Sequence, residues 1–75
     1  MAMSDWTTVS STNVQSFRYD PDTEELQVRF VGGRQYRYAG VPAVLADQMD
    51  QADSVGKFFA EEIKGQYETE RMFSD

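Results

Sequence analysis

Apolar and polar residues alternate through the first half of this chain, then recur at a spacing of three to four through the second half. The first pattern puts successive side chains on opposite faces of a strand, and the second gathers them on one face of a helix. Val14-Gln15-Ser16-Phe17-Arg18-Tyr19 predicts a strand with Phe17 and Tyr19 on one face. Glu25 to Val31 predicts a second strand, with Leu26, Val28 and Phe30 inward and Gln27 and Arg29 outward. Arg34 to Ala39 predicts a third, with Tyr36 and Tyr38 inward and Gln35 and Arg37 outward.

Turn chemistry then fixes the register. A two-residue Gly32-Gly33 loop would set apolar Phe30 opposite Gln35, and directly paired residues share a face. A three-residue loop, Val31-Gly32-Gly33 with Gly33 left-handed, sets Val28 opposite Tyr36, Leu26 opposite Tyr38 and Gln27 opposite Arg37. A four-residue loop from Pro21 to Glu24 sets Tyr19 opposite Leu26 and Arg18 opposite Gln27. Arg18, Gln27 and Arg37 then form one row, with Arg29 diagonal to Arg37.

Gly40-Val41-Pro42 ends the sheet, and Leu45, Met49 and Ala52 follow at helical spacing. Asp53-Ser54 is a break and the N-cap candidate of a second helix carrying Val55, Phe59 and Ile63, which Lys64-Gly65 closes. The expected fold is a small α+β domain: an antiparallel meander of three to four strands, a short edge strand near Val9 included, followed by two helices packed on one sheet face. The chain divides into a flexible N-terminus (1–8), the domain (9–67) and an acidic tail (68–75). Covering one face leaves the arginine face open to water or to another subunit.

Composition narrows the chemistry. Cys and His are both absent, which removes disulfides, thiolate nucleophiles, His general bases and the usual zinc ligand sets. The expectation is therefore no enzyme, no metal and no cofactor. There is no 20-residue apolar run and no signal-peptide pattern at Met1 to Thr8, so a cytoplasmic protein without membrane contact is expected. The net charge is −6, yet residues 27–40 carry Arg29, Arg34 and Arg37 and no acid. Paired acids such as Glu24-Glu25 and Glu61-Glu62 point apart, and the spacing of Asp47, Asp50 and Asp53 does not match a calcium loop.

The order Ser10-Ser11…Val14…Tyr19-Asp20-Pro21…Leu26-Gln27-Val28-Arg29-Phe30 resembles the KTSC domain. So do Gly33…Tyr36-Arg37-Tyr38…Gly40-Val41-Pro42 and Ala52-Asp53-Ser54-Val55-Gly56-Lys57-Phe58-Phe59…Ile63-Lys64-Gly65…Tyr67. The resemblance covers residues 9 to 67, and the family's tyrosine-any-tyrosine motif falls on Tyr36 and Tyr38. That family is found at the C-terminus of some lysyl-tRNA synthetases and as small proteins of bacteria and phages. The family's synthetase context suggests RNA binding, and the resemblance carries over neither an established function nor a catalytic residue. The acidic Glu61, Glu62, Glu68 and Glu70 depart from a general RNA-binding surface.

Three candidate sites follow, each beside a plainer reading. Arg18, Arg29 and Arg37 suit a phosphate through forked hydrogen bonds; the plainer reading is a solvated face paired with acids such as Glu25. Ser54 and Lys57 sit at a helix start that suits an anion, or form an ordinary cap with Gly56 placed for packing. Tyr36 and Tyr38 suit base stacking; parity makes them core residues instead. Two functions stay open. One is a non-catalytic module binding RNA or a small phosphate-bearing nucleotide through the arginine-lined sheet face. The other is a protein-interaction or homo-oligomeric assembly module, such as a phage or bacterial protein that inhibits or sequesters a host component.

Overall fold

A computed structural model describes residues 6–72. Five strands form one antiparallel sheet in sequence order: β1 (Thr7–Thr8), β2 (Val14–Asp20), β3 (Glu25–Phe30), β4 (Gln35–Ala39) and β5 (Glu68–Met72). Between β4 and β5 come α1 (Ala43–Gln51), α2 (Val55–Phe58) and a π-helical turn, Phe59–Ile63. The expected α+β architecture holds, with a fifth strand added.

The inferred registers are the observed ones. Leu26 pairs with Tyr38, Gln27 with Arg37 and Val28 with Tyr36. Arg18 pairs with Gln27 and Tyr19 with Leu26. Turn geometry is the cause. Phe30 N–H donates to the Arg34 carbonyl at 2.8 Å, closing a three-residue loop in which Gly32 (φ 104°) and Gly33 (φ 98°) are both left-handed. In the β2–β3 turn the Asp20 carboxylate accepts from Asp22 N–H at 2.9 Å. A bulge at Gln15 shifts the β2–β3 register between Val14 and Ser16, so that Val14 and Phe17 both face the core.

The helices cover the face that carries Leu26, Val28 and Tyr38. Met49 of α1 and Val55, Phe59 and Ile63 of the second helical segment complete that core. In α1 the buried residues are Ala46 and Met49, while Leu45 packs at the margin. The Val55, Phe59, Ile63 stripe survives a change of helix type. Lys64 N–H donates to the Phe59 carbonyl five residues back, at 2.9 Å, and Gly65 (φ 78°) then turns the chain.

Two expectations are corrected. The segment read as the start of an acidic tail is β5, which pairs along the whole of β4 from Gln35↔Met72 to Ala39↔Glu68. Within the segment read as a flexible N-terminus, Thr7 and Thr8 pair with Phe17 and Ser16. Residues 1–5 and 73–75, which complete those two segments, lie outside the described residues.

Candidate ligand-binding cleft

Strand parity puts Arg18, Arg29 and Arg37 on the sheet face away from the helices, as inferred. That face is not simply open, because each guanidinium has a partner within the chain. Arg18 Nε donates to Gln27 Oε1 at 3.0 Å, and Gln27 Nε2 donates to Glu25 at 2.6 Å. Arg37 forms an ion pair with Glu70 of β5. With the Gln35 amide oriented by its neighbours, its oxygen accepts from Arg29 at 3.2 and 3.3 Å. Trp6 lies against both Arg18 and Arg29, its ring centroid 4.6 and 4.2 Å from their Cζ atoms. Ser16, Gln27 and Gln35 are buried beneath this layer.

Ser54 caps α2, its hydroxyl accepting from Lys57 N–H at 3.3 Å. The Ser54 hydroxyl is used by the cap and the Lys57 side chain is exposed, so the two read as cap and solvated side chain. The adjacent glycine is placed for packing. A Cβ on Gly56 would lie 2.5 Å from Asn13 Oδ1 and 2.6 Å from Ser11 Oγ. Those two atoms belong to a turn in which Ser11 Oγ donates to Asn13 Oδ1 at 2.9 Å and accepts from Val14 N–H at 3.2 Å. The Ser-rich segment before β2 and the Gly-Lys segment of α2 therefore meet in space.

The tyrosines are on the helix side. Tyr38 is buried and Tyr36 is half-buried. They line a cleft of about 420 Å³ between the β3–β4 hairpin and the π turn. Its apolar floor is a chain of edge-to-face rings. Phe30 meets Tyr36 at 5.7 Å and Phe59 at 5.3 Å, and Phe59 meets Tyr38 at 5.4 Å. Arg34 and Lys64 stand at its edge, and no carboxylate lines it. Neither cation has an ion-pair partner among the described residues. Asn13 forms part of the wall, tied to the hairpin by Val31 N–H donating to the Asn13 carbonyl at 2.8 Å.

The arrangement offers flat apolar contact, two positive charges, and a phenol. Burial, and then the neighbouring Tyr36, push the Tyr38 hydroxyl up from 10.0 to about 12, so it stays a protonated donor. It has no hydrogen-bond partner among the described residues. A raised pKa in the folded state means stability that is complete below pH 10 and lost as pH rises toward 12. Denaturant unfolding at pH 8 and pH 11 should therefore show a decline that Tyr38→Phe largely flattens. Part of the decline remains in that variant, because burial and then Glu24 raise Tyr19 in the same sense. An undiminished decline in Tyr38→Phe would contradict this assignment.

Arg34 and Lys64 are the residues that reading the sequence did not single out. The only local signal is that each flanks a left-handed glycine, Gly33 and Gly65. Such a position leaves a long side chain at the lip of whatever the turn borders. Among the described residues, no group of three or more acidic side chains stands close enough to hold a metal ion. No helix there is long and apolar enough to cross a membrane.

A five-stranded antiparallel sheet with helices on one face defines a small two-layer α+β domain. The KTSC domain pattern matches residues 10–67. The chain belongs to the KTSC domain family. Its fold superimposes on the crystal structure of a KTSC domain protein from Yersinia pestis with a TM-score of 0.88, at 36% identity, covering 96% of this chain and all of that one. A protein of Stutzerimonas stutzeri is 36% identical over 59 residues, which are 79% of this chain and 83% of that protein. A lysine–tRNA ligase of Nostoc is likewise 36% identical over 59 residues, but the matched part is only 10% of that enzyme.

Proposed function

We propose that this domain is a non-catalytic, cytoplasmic binding module for a planar, phosphate-bearing ligand: a nucleotide, or an unpaired nucleotide of an RNA. The carrying observation is charge placement. In a chain of net charge −6, the aromatic cleft holds Arg34 and Lys64 and no acid. Its volume falls within the range of small-ligand pockets, and rings of this kind take bases by stacking. Lysine–tRNA ligases among the relatives, which by their name act on a tRNA, are compatible with an RNA ligand.

The sheet-face arginines are the weaker alternative. Their charges already meet Glu70, Gln27, Gln35 and the Trp6 ring, so a phosphate there has to displace existing contacts. Titration of nucleoside monophosphates and short single-stranded RNA at several salt concentrations tests the reading. Arg34→Ala and Lys64→Ala should each weaken binding roughly tenfold and lower the log–log salt slope by about 0.7. Arg37→Ala should change little. Unaltered affinity in the Arg34→Ala/Lys64→Ala double variant would remove the cleft from consideration.

A further inference from the structure

The sheet face away from the cleft raises a separate question. It has no helix above it, yet Ser16, Gln27 and Gln35 are only 4%, 6% and 9% exposed. The Arg18 and Arg29 side chains bond to two of them, and an arm of the chain itself runs beside those arginines. Thr7 and Thr8 run antiparallel to β2, and Val9 N–H donates to the Gln15 carbonyl at 3.1 Å. Trp6, ahead of that pairing, lays its ring against the guanidinium groups of Arg18 and Arg29. Among the described residues these two arginines bond to neutral amides, Gln27 and Gln35, and have no ion-pair partner, so the indole faces two guanidinium groups. Ser16 Oγ is enclosed and has no hydrogen-bond partner among the described residues, a cost that the arm's Thr8 opposite it leaves unrelieved.

We propose that the outer edge of β2, with the Arg18–Arg29 pair beside it, is a strand-addition site for an extended peptide segment bearing an aromatic residue, and that the chain's own residues 6–8 occupy it in cis. The chemistry selects a peptide over a nucleic acid. Recognition runs through a backbone ladder at Thr7 and Thr8, which a sugar–phosphate strand cannot supply. The aromatic ring adds the selectivity, because two guanidinium groups form a flat cationic seat for it. A partner segment with a donor or acceptor opposite Ser16 gains a hydrogen bond that the arm's Thr8 leaves unmade. The arm behaves as a tethered competitor, whose effective concentration is of the order of millimolar for a short link. This site shares no residue with the cleft, so the two proposals stand or fall separately.

Trp6 is the only tryptophan of the chain, which gives a direct readout. A full-length Trp6→Ala chain has no indole, and a synthetic peptide with the sequence of residues 1–12 then supplies the only one. Adding the chain should shift the peptide's emission to the blue and raise its anisotropy, saturating at one peptide per chain. Competition with unlabelled wild-type chain should show at least about tenfold weaker binding there, where the arm holds the site. Adding Arg29→Ala to Trp6→Ala should weaken binding by about tenfold. In the intact wild-type chain, millimolar peptide carrying Phe in place of Trp should expose Trp6 to acrylamide quenching, which avoids any dependence on the folding of Trp6→Ala. Absence of saturable binding to a folded Trp6→Ala chain overturns the proposal. So does equal affinity with Arg29→Ala, or a Trp6 signal in the wild-type chain that excess peptide does not move.

Discussion

Phe59→Ala is expected to cost about 4 kcal/mol of folding stability and to leave the domain barely folded at 25 °C. Removing a buried phenylalanine side chain costs about 3–5 kcal/mol, through lost transfer energy and the cavity left behind. The upper half of that range applies because Phe59 is only 3% exposed and is the ring through which Phe30 and Tyr38 connect. Breaking each edge-to-face ring pair adds roughly 0.5–1.5 kcal/mol beyond area. A domain of this length has a total stability of roughly 4–11 kcal/mol, so one such substitution removes much of it. Phe59→Leu should recover more than half of the deficit by refilling most of the space. Urea unfolding midpoints decide the matter, and a loss below about 1 kcal/mol would mean that Phe59 is not the keystone of this core.

Gly56→Ala is the second large effect, and its sign is the informative part. In an exposed helix, alanine in place of glycine gains up to about 1 kcal/mol. Here the added methyl carbon would stand 2.5 Å from Asn13 Oδ1 and 2.6 Å from Ser11 Oγ. A side chain at the end of a flexible stem would yield at little cost. These two oxygens are not of that kind, because they bond to each other and Ser11 Oγ also accepts from the Asn13 and Val14 amides. Moving them dismantles the turn that starts β2. Overpacking of this type costs about 1–3 kcal/mol, which exceeds the helical gain, so a net loss of about 1–2 kcal/mol is expected. Ser11→Ala combined with Gly56→Ala should recover part of it. Thermal unfolding of the wild-type chain, Gly56→Ala and the double variant checks the order, and a stabilised Gly56→Ala would show that the turn gives way easily.

The parts of the fold that can be read from the residues are those where two local rules agree. Val28 faces Tyr36, and Tyr19 faces Leu26, because strand parity and the loop lengths at Pro21–Glu24 and Val31–Gly33 admit one common register. The cap at Ser54 and the stop at Gly65 are legible for the same reason. β5 is not. Glu68-Thr69-Glu70-Arg71-Met72 presents no apolar face, and four of its five residues are exposed. It exists because β4 offers an unpaired ladder and Arg37 an oppositely charged neighbour, neither of which marks residues 68–72 in the sequence. The cleft is hidden by the same kind of distance. Arg34 belongs to a hairpin and Lys64 to the end of a π turn, and only the folded chain sets them around Tyr36 and Tyr38. Trp6 looks like a stray aromatic until β1 brings it to Arg18 and Arg29.

β5 also bears on how these molecules behave in a crowd. It is one of the two edge strands among the described residues, and its outer flank would template another chain if it were flat and greasy. Instead it carries two carboxylates and a guanidinium within five positions, so an approaching copy must strip water from charged side chains. Its composition thus guards against fibril growth: the residues that look least like sheet formers keep this small sheet finite.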